Sequence, residues 1–536
     1  MKRFAALYAR LDDTRATLAK VEAMRDYFAQ APPADAAWGL YFLTGNRLKR
    51  LIAPTRLRAW IAEATGLAPE VIEESYAHVG DLAETLALLL DRPGKPVAAE
   101  RGLADWVAWL LALKALDEPA QRDKLLDAWS WLPMDECFLF NKLLTGSLRV
   151  GVSSGLAARA LAAHAGLDVN LVAQRLMGEW RPSADNYATL IEPGAGAAAN
   201  PSQPYPFCLA SPLEDSPGRT VEALGAPSQF LIEWKWDGIR AQLIRREGQV
   251  FIWSRGEELL NGRFPEIEAA ALAALPEGCV LDGEVLACNE AGVLPFATLQ
   301  RRIGRKTLGK KLLAEAPVAF LAYDLLEAQG EDRRTRPLSA RRAELEALLQ
   351  RSDADLRLRI SPKLAAEDWP TLAASRSESR ARGVEGLMLK RLDSPYQTGR
   401  KRGAWWKWKI DPMTVDCVLV YAQAGHGRRA NLYSDYTLAV WDQDALVPVA
   451  KAYSGLTDAE LTTMDAWIKR HTREKFGPVR SVDPEQVFEI AFEGIQASPR
   501  HKAGIALRFP RILRWRRDKT AAEADTLATM KRLLPP

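Results

Sequence analysis

The chain has 536 residues, too many for one hydrophobic core, so roughly three or four domains are expected. Hydrophobic residues at 48% and charged residues at 26% exclude wholesale disorder, and a net charge of +4 does not by itself announce a polyanionic partner. Five scattered cysteines (Cys137, Cys208, Cys279, Cys288, Cys417), none in a CxxC pair, exclude a zinc ribbon and a disulfide framework. The N-terminus lacks the apolar core of a signal peptide because charges return at Arg10, Asp12 and Asp13. Apolar stretches fall far short of the ~20 residues of a spanning helix, so a soluble cytoplasmic protein with no membrane partner is expected.

In chain order, residues 1 to about 190 predict helices: Ala and Leu dominate, and Trp106, Leu110, Leu113 and Leu116 recur at three- and four-residue spacing. Turn chemistry from Pro193 to Pro204 places the first boundary there. Strands are expected at Phe230 to Trp236, Ala241 to Arg245, Val250 to Trp253, Cys279 to Leu286 and Val318 to Leu325. Helical stretches separate them, one from Ala340 to Leu349 with Ser339 as its cap, which makes a mixed α/β domain ending near Lys409. Beyond Asp411-Pro412, strands are expected at Val415 to Tyr421, Tyr436 to Trp441, Val447 to Ala452 and Val487 to Phe492, with a helix from Asp458 to Arg470. That pattern suits a small barrel such as the OB-fold.

Chemistry begins at Glu233-Trp234-Lys235-Trp236-Asp237-Gly238. A lysine between tryptophans on a strand is costly to bury as a cation, and a neutral amine is the form that attacks an electrophile. Period-two geometry puts Glu233, Lys235 and Asp237 on one face, and Gly238 allows the backbone to approach a ligand. Lys-x-Asp-Gly alone is weak evidence, since short motifs arise by chance. It is followed in order by Asp282-Gly283-Glu284 within an apolar run, by Glu385-Gly386 at the start of a strand, and by Trp406-Lys407-Trp408-Lys409. Alternation turns the two lysines to one side and the tryptophans to the other. A nucleophilic lysine, carboxylates able to hold Mg²⁺ and lysines aimed at phosphate oxygens are the components of nucleotidyl transfer. The bland readings are surface ion pairs for the carboxylates and core packing for the tryptophans.

This ordered set resembles the covalent nucleotidyltransferases, the superfamily of DNA ligases, RNA ligases and mRNA-capping enzymes. The resemblance runs from Glu233 to Lys519. It implies Lys235 as the residue adenylated by ATP, Glu233 as the adenine reader, and Arg240 and Arg255 as contacts to ribose or the nick phosphate. Glu284 resembles the ribose or metal carboxylate, Tyr323 the aromatic stacked on adenine, and Lys407 and Lys409 the α-phosphate lysines. Glu385, Glu284 and Asp237 are implied as carboxylates for Mg²⁺ or Mn²⁺. Arg511, Arg514 and Lys519, within a run of basic residues from Arg500 to Lys519, resemble the last motif, which orients pyrophosphate.

Leu143 to Val152 resembles the signature of the helical DNA-binding domain of bacterial three-domain ATP-dependent DNA ligases, with Thr145, Gly146, Arg149 and Gly151 at the DNA. Read from its residues, it is a glycine-punctuated turn with one arginine, suited to a close phosphate. The implied fold is multidomain: an all-α N-terminal domain (1–200), an ATP-grasp-like α/β adenylation domain (206–410) and a C-terminal β-barrel OB-fold (411–536). The implied reaction is nick sealing in duplex DNA through lysyl-AMP and DNA-adenylate, in repair, replication or recombination, by a monomer that clamps the duplex. An RNA ligase, a GTP-using capping enzyme and a catalytically dead nucleic-acid clamp remain as alternatives.

Overall fold

The computed structural model describes residues 1–536 except 15, 50, 80, 91–100, 147, 149–150, 178–179, 194–200, 214–220, 290–291, 304, 306–307, 351–356, 366, 425–431, 454, 477–478, 500 and 535–536. Two compact units emerge. One joins Met1–Ala9, Asn46–Val150 and Asp411–Pro536; the other joins Arg10–Gly45 and Gly151–Ile410. Their limits cut through the helical N-terminal region. Among the described residues, no helix is long and apolar enough to cross a membrane.

In the first unit, the helices Leu103–Leu113, Glu118–Trp131 and Met134–Thr145 bury the faces that their spacing announces: Trp106, Leu110 and Leu113 are all buried. Leu116 lies in the turn after the helix, closed by its N–H on the Leu113 carbonyl, because the regular hydrogen bonding stops at Leu113. Asp117 then caps the next helix, its side chain accepting from the Ala120 N–H.

The C-terminal segment of this unit is rich in strands. Met413–Ala424 pairs on one side with Tyr433–Asp442. On the other side it pairs first with Val487–Phe492 and then with Val479–Val482. A strand that changes partner along one edge, with an irregularity between Leu419 and Tyr421, curls its sheet. The Asp458–Arg470 helix has the expected limits and starts in a capping box of Thr457 and Glu460. The core gathers Tyr436, Phe488, Ile490, Phe492, Met464 and Ile468.

The second unit carries two sheets. Ile239–Arg246, Cys279–Asn289 and Val318–Ala328 form the centre of a seven-stranded sheet, with Gln249–Ser254 at its edge beside Ile239–Arg246. One face packs Leu243, Leu281, Val285 and Phe320 against Ile267 and Ala271 of the Pro265–Ala274 helix and Leu345 of Leu338–Gln350. Each such fully buried side chain contributes about 1.5–3 kcal/mol. A four-stranded sheet contains Phe230–Trp234, Gly386–Arg391 and Trp405–Lys409 side by side. Phe230, Ile232, Trp234, Leu387, Leu389 and Trp408 fill one of its faces.

Two local expectations change. Ser339 lies inside the first turn of the Leu338–Gln350 helix rather than capping it, because Pro337 supplies the start: its carbonyl accepts the N–H groups of Ala340 and Arg341. The first motif strand stops at Trp234, two residues early, because the chain leaves the ladder after Lys235.

Candidate active site

The four-stranded sheet turns its second face to the site, and its register fixes what that face displays. The Lys235 N–H donates to the Gly386 carbonyl at 2.8 Å, and the Lys235 carbonyl accepts the Glu385 N–H at 2.8 Å. Gly386 pairs with Lys409, Met388 with both Glu233 and Lys407, and Lys390 with both Leu231 and Trp405. Alternation therefore sets three rows on one face: Lys235 beside Lys409, Glu233 in line with Lys407, and Lys390 beside Trp405. Gly386 is required there. Its φ is +133°, and a Cβ would stand 2.2 Å from the Trp408 carbonyl oxygen.

Lys235 donates from Nζ to the Glu385 carboxylate, which also meets Lys409 Nζ at 3.3 Å. Burial opposes ionisation of Glu385, but the two ammonium groups outweigh it and hold the carboxyl below its ordinary range. Glu284 is the contrary case. Burial pushes its carboxyl up to about 8; Lys235 and Arg240 counter this, while Asp282 and Glu385 add to it. Burial also lowers Lys407, helped by the positive charges of Lys409, Arg400 and Lys235. The site thus concentrates cations around the lysine, while burial of Glu284 outweighs the countering charges of Lys235 and Arg240.

Gly238 is required by packing: a Cβ there would meet the Val285 carbonyl oxygen at 2.4 Å and Glu284 Cγ at 2.8 Å. That close approach lays the Lys235 loop against the strand that bears Glu284. Asp237 lies in the irregular stretch past the strand, so alternation does not place it with Glu233 and Lys235.

Arg240 is fixed on every side. Its Nη2 reaches Asp282 Oδ2 at 2.7 Å and its Nη1 the Cys208 carbonyl at 2.6 Å. The rings of Phe207, Trp405 and Tyr323 lie 5.3, 5.7 and 5.8 Å from its guanidinium carbon. Asp282 also accepts from the Tyr396 hydroxyl at 2.7 Å, so it serves Arg240 and Tyr396. Arg255 is exposed, on a turn whose N–H donates to the Arg240 carbonyl at 2.9 Å. Tyr323 is buried, with Lys390 Nζ 3.9 Å from its ring centre. Glu233, also buried, receives Lys390 Nζ at 2.7 Å and Arg342 Nη1 at 2.8 Å.

Sequence reasoning assigned no role to Arg342 or Tyr396. A helical arginine opposite a sheet leaves no periodic mark; the only signal was a charged pair, Arg341-Arg342, at the start of an apolar helix face.

Asp237, Glu284 and Glu385 are not gathered into a three-ligand group. Among the described residues, the group whose ligand atoms lie within 4.8 Å of one another is His471, Asp483 and Glu485. There Arg473 Nε already sits 2.6 Å from Asp483, which reads as an ion-pair cluster.

The remaining predicted residues lie in the first unit, except Gly151, which falls in the second. Arg511 pairs with Glu493 at 3.4 Å, Arg514 with Glu489, and Lys519 with Asp416 at 2.6 Å. Thr145 ends its helix with its hydroxyl on the Asn141 carbonyl at 2.8 Å, and Gly146 caps it in the left-handed conformation. The Gly151 carbonyl accepts from Lys20 Nζ at 3.0 Å. Arg149 lies outside the described residues.

Three family descriptions match the chain: "DNA ligase N terminus" over residues 1–162, "ATP dependent DNA ligase domain" over 208–409, and "ATP dependent DNA ligase C terminal region" over 429–519. A "Probable DNA ligase" of Koribacter versatilis is 32% identical, covering 95% of this chain and 92% of that one. A "DNA ligase" of Natronomonas pharaonis is 30% identical over 99% of both. A "Probable DNA ligase" of Opitutus terrae is 33% identical over 99% of this chain, which spans 62% of that relative's length. In structure, "Pmar-Lig_PreS3" is similar in fold, with a TM-score of 0.64 at 16% identity, covering 96% of this chain and 99% of that one.

Proposed function

We propose a function from one premise: the chain belongs to the ATP-dependent DNA ligase family. It seals nicks in duplex DNA, and Lys235 is the residue that carries AMP. The observation that carries the assignment is the Lys235–Glu385–Lys409 contact, in a cleft that also holds Lys407 and Glu284.

In the first step the Lys235 amine attacks the α-phosphorus of ATP. An N–P bond forms as the nitrogen gives up its proton to solvent, the bond from the α-phosphorus to the β-phosphate bridge breaks, and pyrophosphate leaves. Lys407 and Lys409 stabilise the charge that builds on the α-phosphate oxygens. AMP then passes to the 5′-phosphate at a nick, and the 3′-hydroxyl displaces it to make the phosphodiester bond. Mg²⁺ (or Mn²⁺) fits this site without a ready-made cage, since it binds through one or two carboxylates plus substrate phosphates. Glu284 and Glu385 are the residues that would hold it, and Glu284 is the carboxyl whose burial outweighs the nearby charges of Lys235 and Arg240. Glu233 and Tyr323 form the base end of the site, while Arg240 and Arg255 face the ribose or the nick.

The working parts we assign are a helical DNA-binding domain (1–200) with Thr145, Gly146, Arg149 and Gly151 at the duplex, an ATP-grasp-like adenylation domain (206–410), and an OB-fold (411–536). The last brings Arg511, Arg514 and Lys519 to pyrophosphate. The protein acts in the cytoplasm as a monomeric clamp on nicked DNA, in repair, replication or recombination. Incubation with α-labelled ATP and Mg²⁺ tests the centre of this reading. Wild type should take covalent label and Lys235→Ala none; label that persists on the alanine variant, or arises from GTP instead, overturns it.

A further inference from the structure

Arg342 is buried on the Leu338–Gln350 helix, and its guanidinium touches both sheets. Nη1 lies 2.8 Å from Glu233 Oε1, on the four-stranded sheet, and 3.4 Å from the Tyr323 carbonyl oxygen, on the seven-stranded one. Nη2 donates to the Ser361 carbonyl, and Nε reaches Glu346 Oε1 at 2.8 Å. The Ser361 hydroxyl in turn accepts from Trp236 Nε1 at 3.0 Å, one residue past the lysine. One planar fork therefore spans the four-stranded sheet, the seven-stranded sheet and the segment behind Trp236. A lysine, with a single compact charge, could not satisfy these acceptors together.

The face of the four-stranded sheet says what lies at that end. Lys235, Lys407 and Lys409 mark where phosphates go. Glu233 sits two residues before Lys235 along the same face, about 7 Å away, with the Tyr323 ring close to its Lys390 partner. An acceptor one row along the face from Lys235, held by a lysine that lies over an aromatic ring, suits the base, and the 6-amino group of adenine is a donor. We propose that Arg342 is a positioning residue that, by tying Glu233 of one sheet to the Tyr323 backbone of the other, sets the acceptor that selects a 6-aminopurine nucleotide. This rests on the reading of the cleft as the ATP site.

The test compares the initial rate of covalent labelling with ATP and with purine riboside triphosphate, which lacks the 6-amino group. It uses the full-length wild type, Arg342→Met and Arg342→Lys. Wild type should favour ATP by at least about tenfold. Arg342→Met should bring the ratio to within about threefold of unity, raising KM for ATP more than it lowers kcat. Arg342→Lys should fall between them, and it keeps the test open if the methionine variant does not fold. A wholly structural role would lower both substrates alike, so an unchanged ratio in the variants overturns the proposal. A wild type without preference for ATP also overturns it. Lys235→Ala, run in parallel, separates these outcomes from failure of the parent reading: label on wild type and none on that variant keeps the reaction in place even where base selection fails.

Discussion

Two regions of the molecule are rich in positive charge, and they handle it in opposite ways. In the cleft, Lys235, Lys407 and Lys409 crowd around one engaged carboxylate, Glu385, and the crowding itself lowers Lys407. In the C-terminal segment, four of the cations are matched with acids: Arg511 with Glu493, Arg514 with Glu489, Arg516 with Asp518 and Asp416, and Lys519 with the same Asp416. The first region is charged in advance and awaits a polyanion. The second keeps its charge in exchangeable pairs, which a phosphate has to displace. Preorganised charge lowers a chemical barrier, whereas paired charge tunes how readily a surface engages and lets go.

The comparison breaks first at the nucleophile: Lys235→Ala should reduce nick sealing to background, and measurable sealing would leave the cleft without its centre. Lys409→Ala should slow covalent labelling by about 10²-fold or more, the size seen when one preorganised donor is lost at a developing charge. A loss below about threefold in single-turnover labelling would mean that crowding in the cleft is not put to use.

Next comes the pH dependence of Glu284. Its carboxyl is pushed up to about 8 from an ordinary 4.5, so the folded protein binds a proton that the unfolded chain releases. Its burial costs nothing below about pH 4.5, and stability then falls as pH rises toward about 8. Glu284→Gln should therefore be more stable than wild type near pH 9 and no more so near pH 5. The gain is about 1.4 kcal/mol for each tenfold difference in proton affinity between the folded and unfolded chains, a few kcal/mol at most. Thermal unfolding at both pH values reads it directly, and an equal effect at each would contradict the assignment. The smallest effect is expected in the other region. Asp416→Asn leaves Arg516 on Asp518 but removes the acid from Lys519, and should tighten DNA binding by about 2–5-fold, the worth of one weak ion pair. A titration at fixed salt checks this, and weaker binding would show that Asp416 holds those cations in their working positions.

The period of the strands made much of the cleft legible. Lys407 and Lys409, two apart, share a face, and Glu385 precedes a strand as its glycine-flanked setting suggests. What failed to show is what pairs across elements. Nothing local to Glu233 announces Arg342, 109 residues away. Nothing in the Arg508 to Lys519 run announces Asp416, more than 100 residues earlier. The run looked nearly free of acids because its acids come from other strands. Asp237 was misplaced by extending alternation past the point where the ladder ends, and nothing local to Gly238 announced how tightly it packs on the Glu284 strand.

The backbone at Lys235 is hydrogen-bonded on both sides, its N–H to Gly386 and its carbonyl from Glu385. The nucleophile is thus a post with a leash. The main chain is held by a ladder, and the slack left to the side chain is its four-carbon stem. On the function proposed above, AMP on that stem would pass from one chemical partner to the next by side-chain rotation, with the fixed end of the tether kept in register.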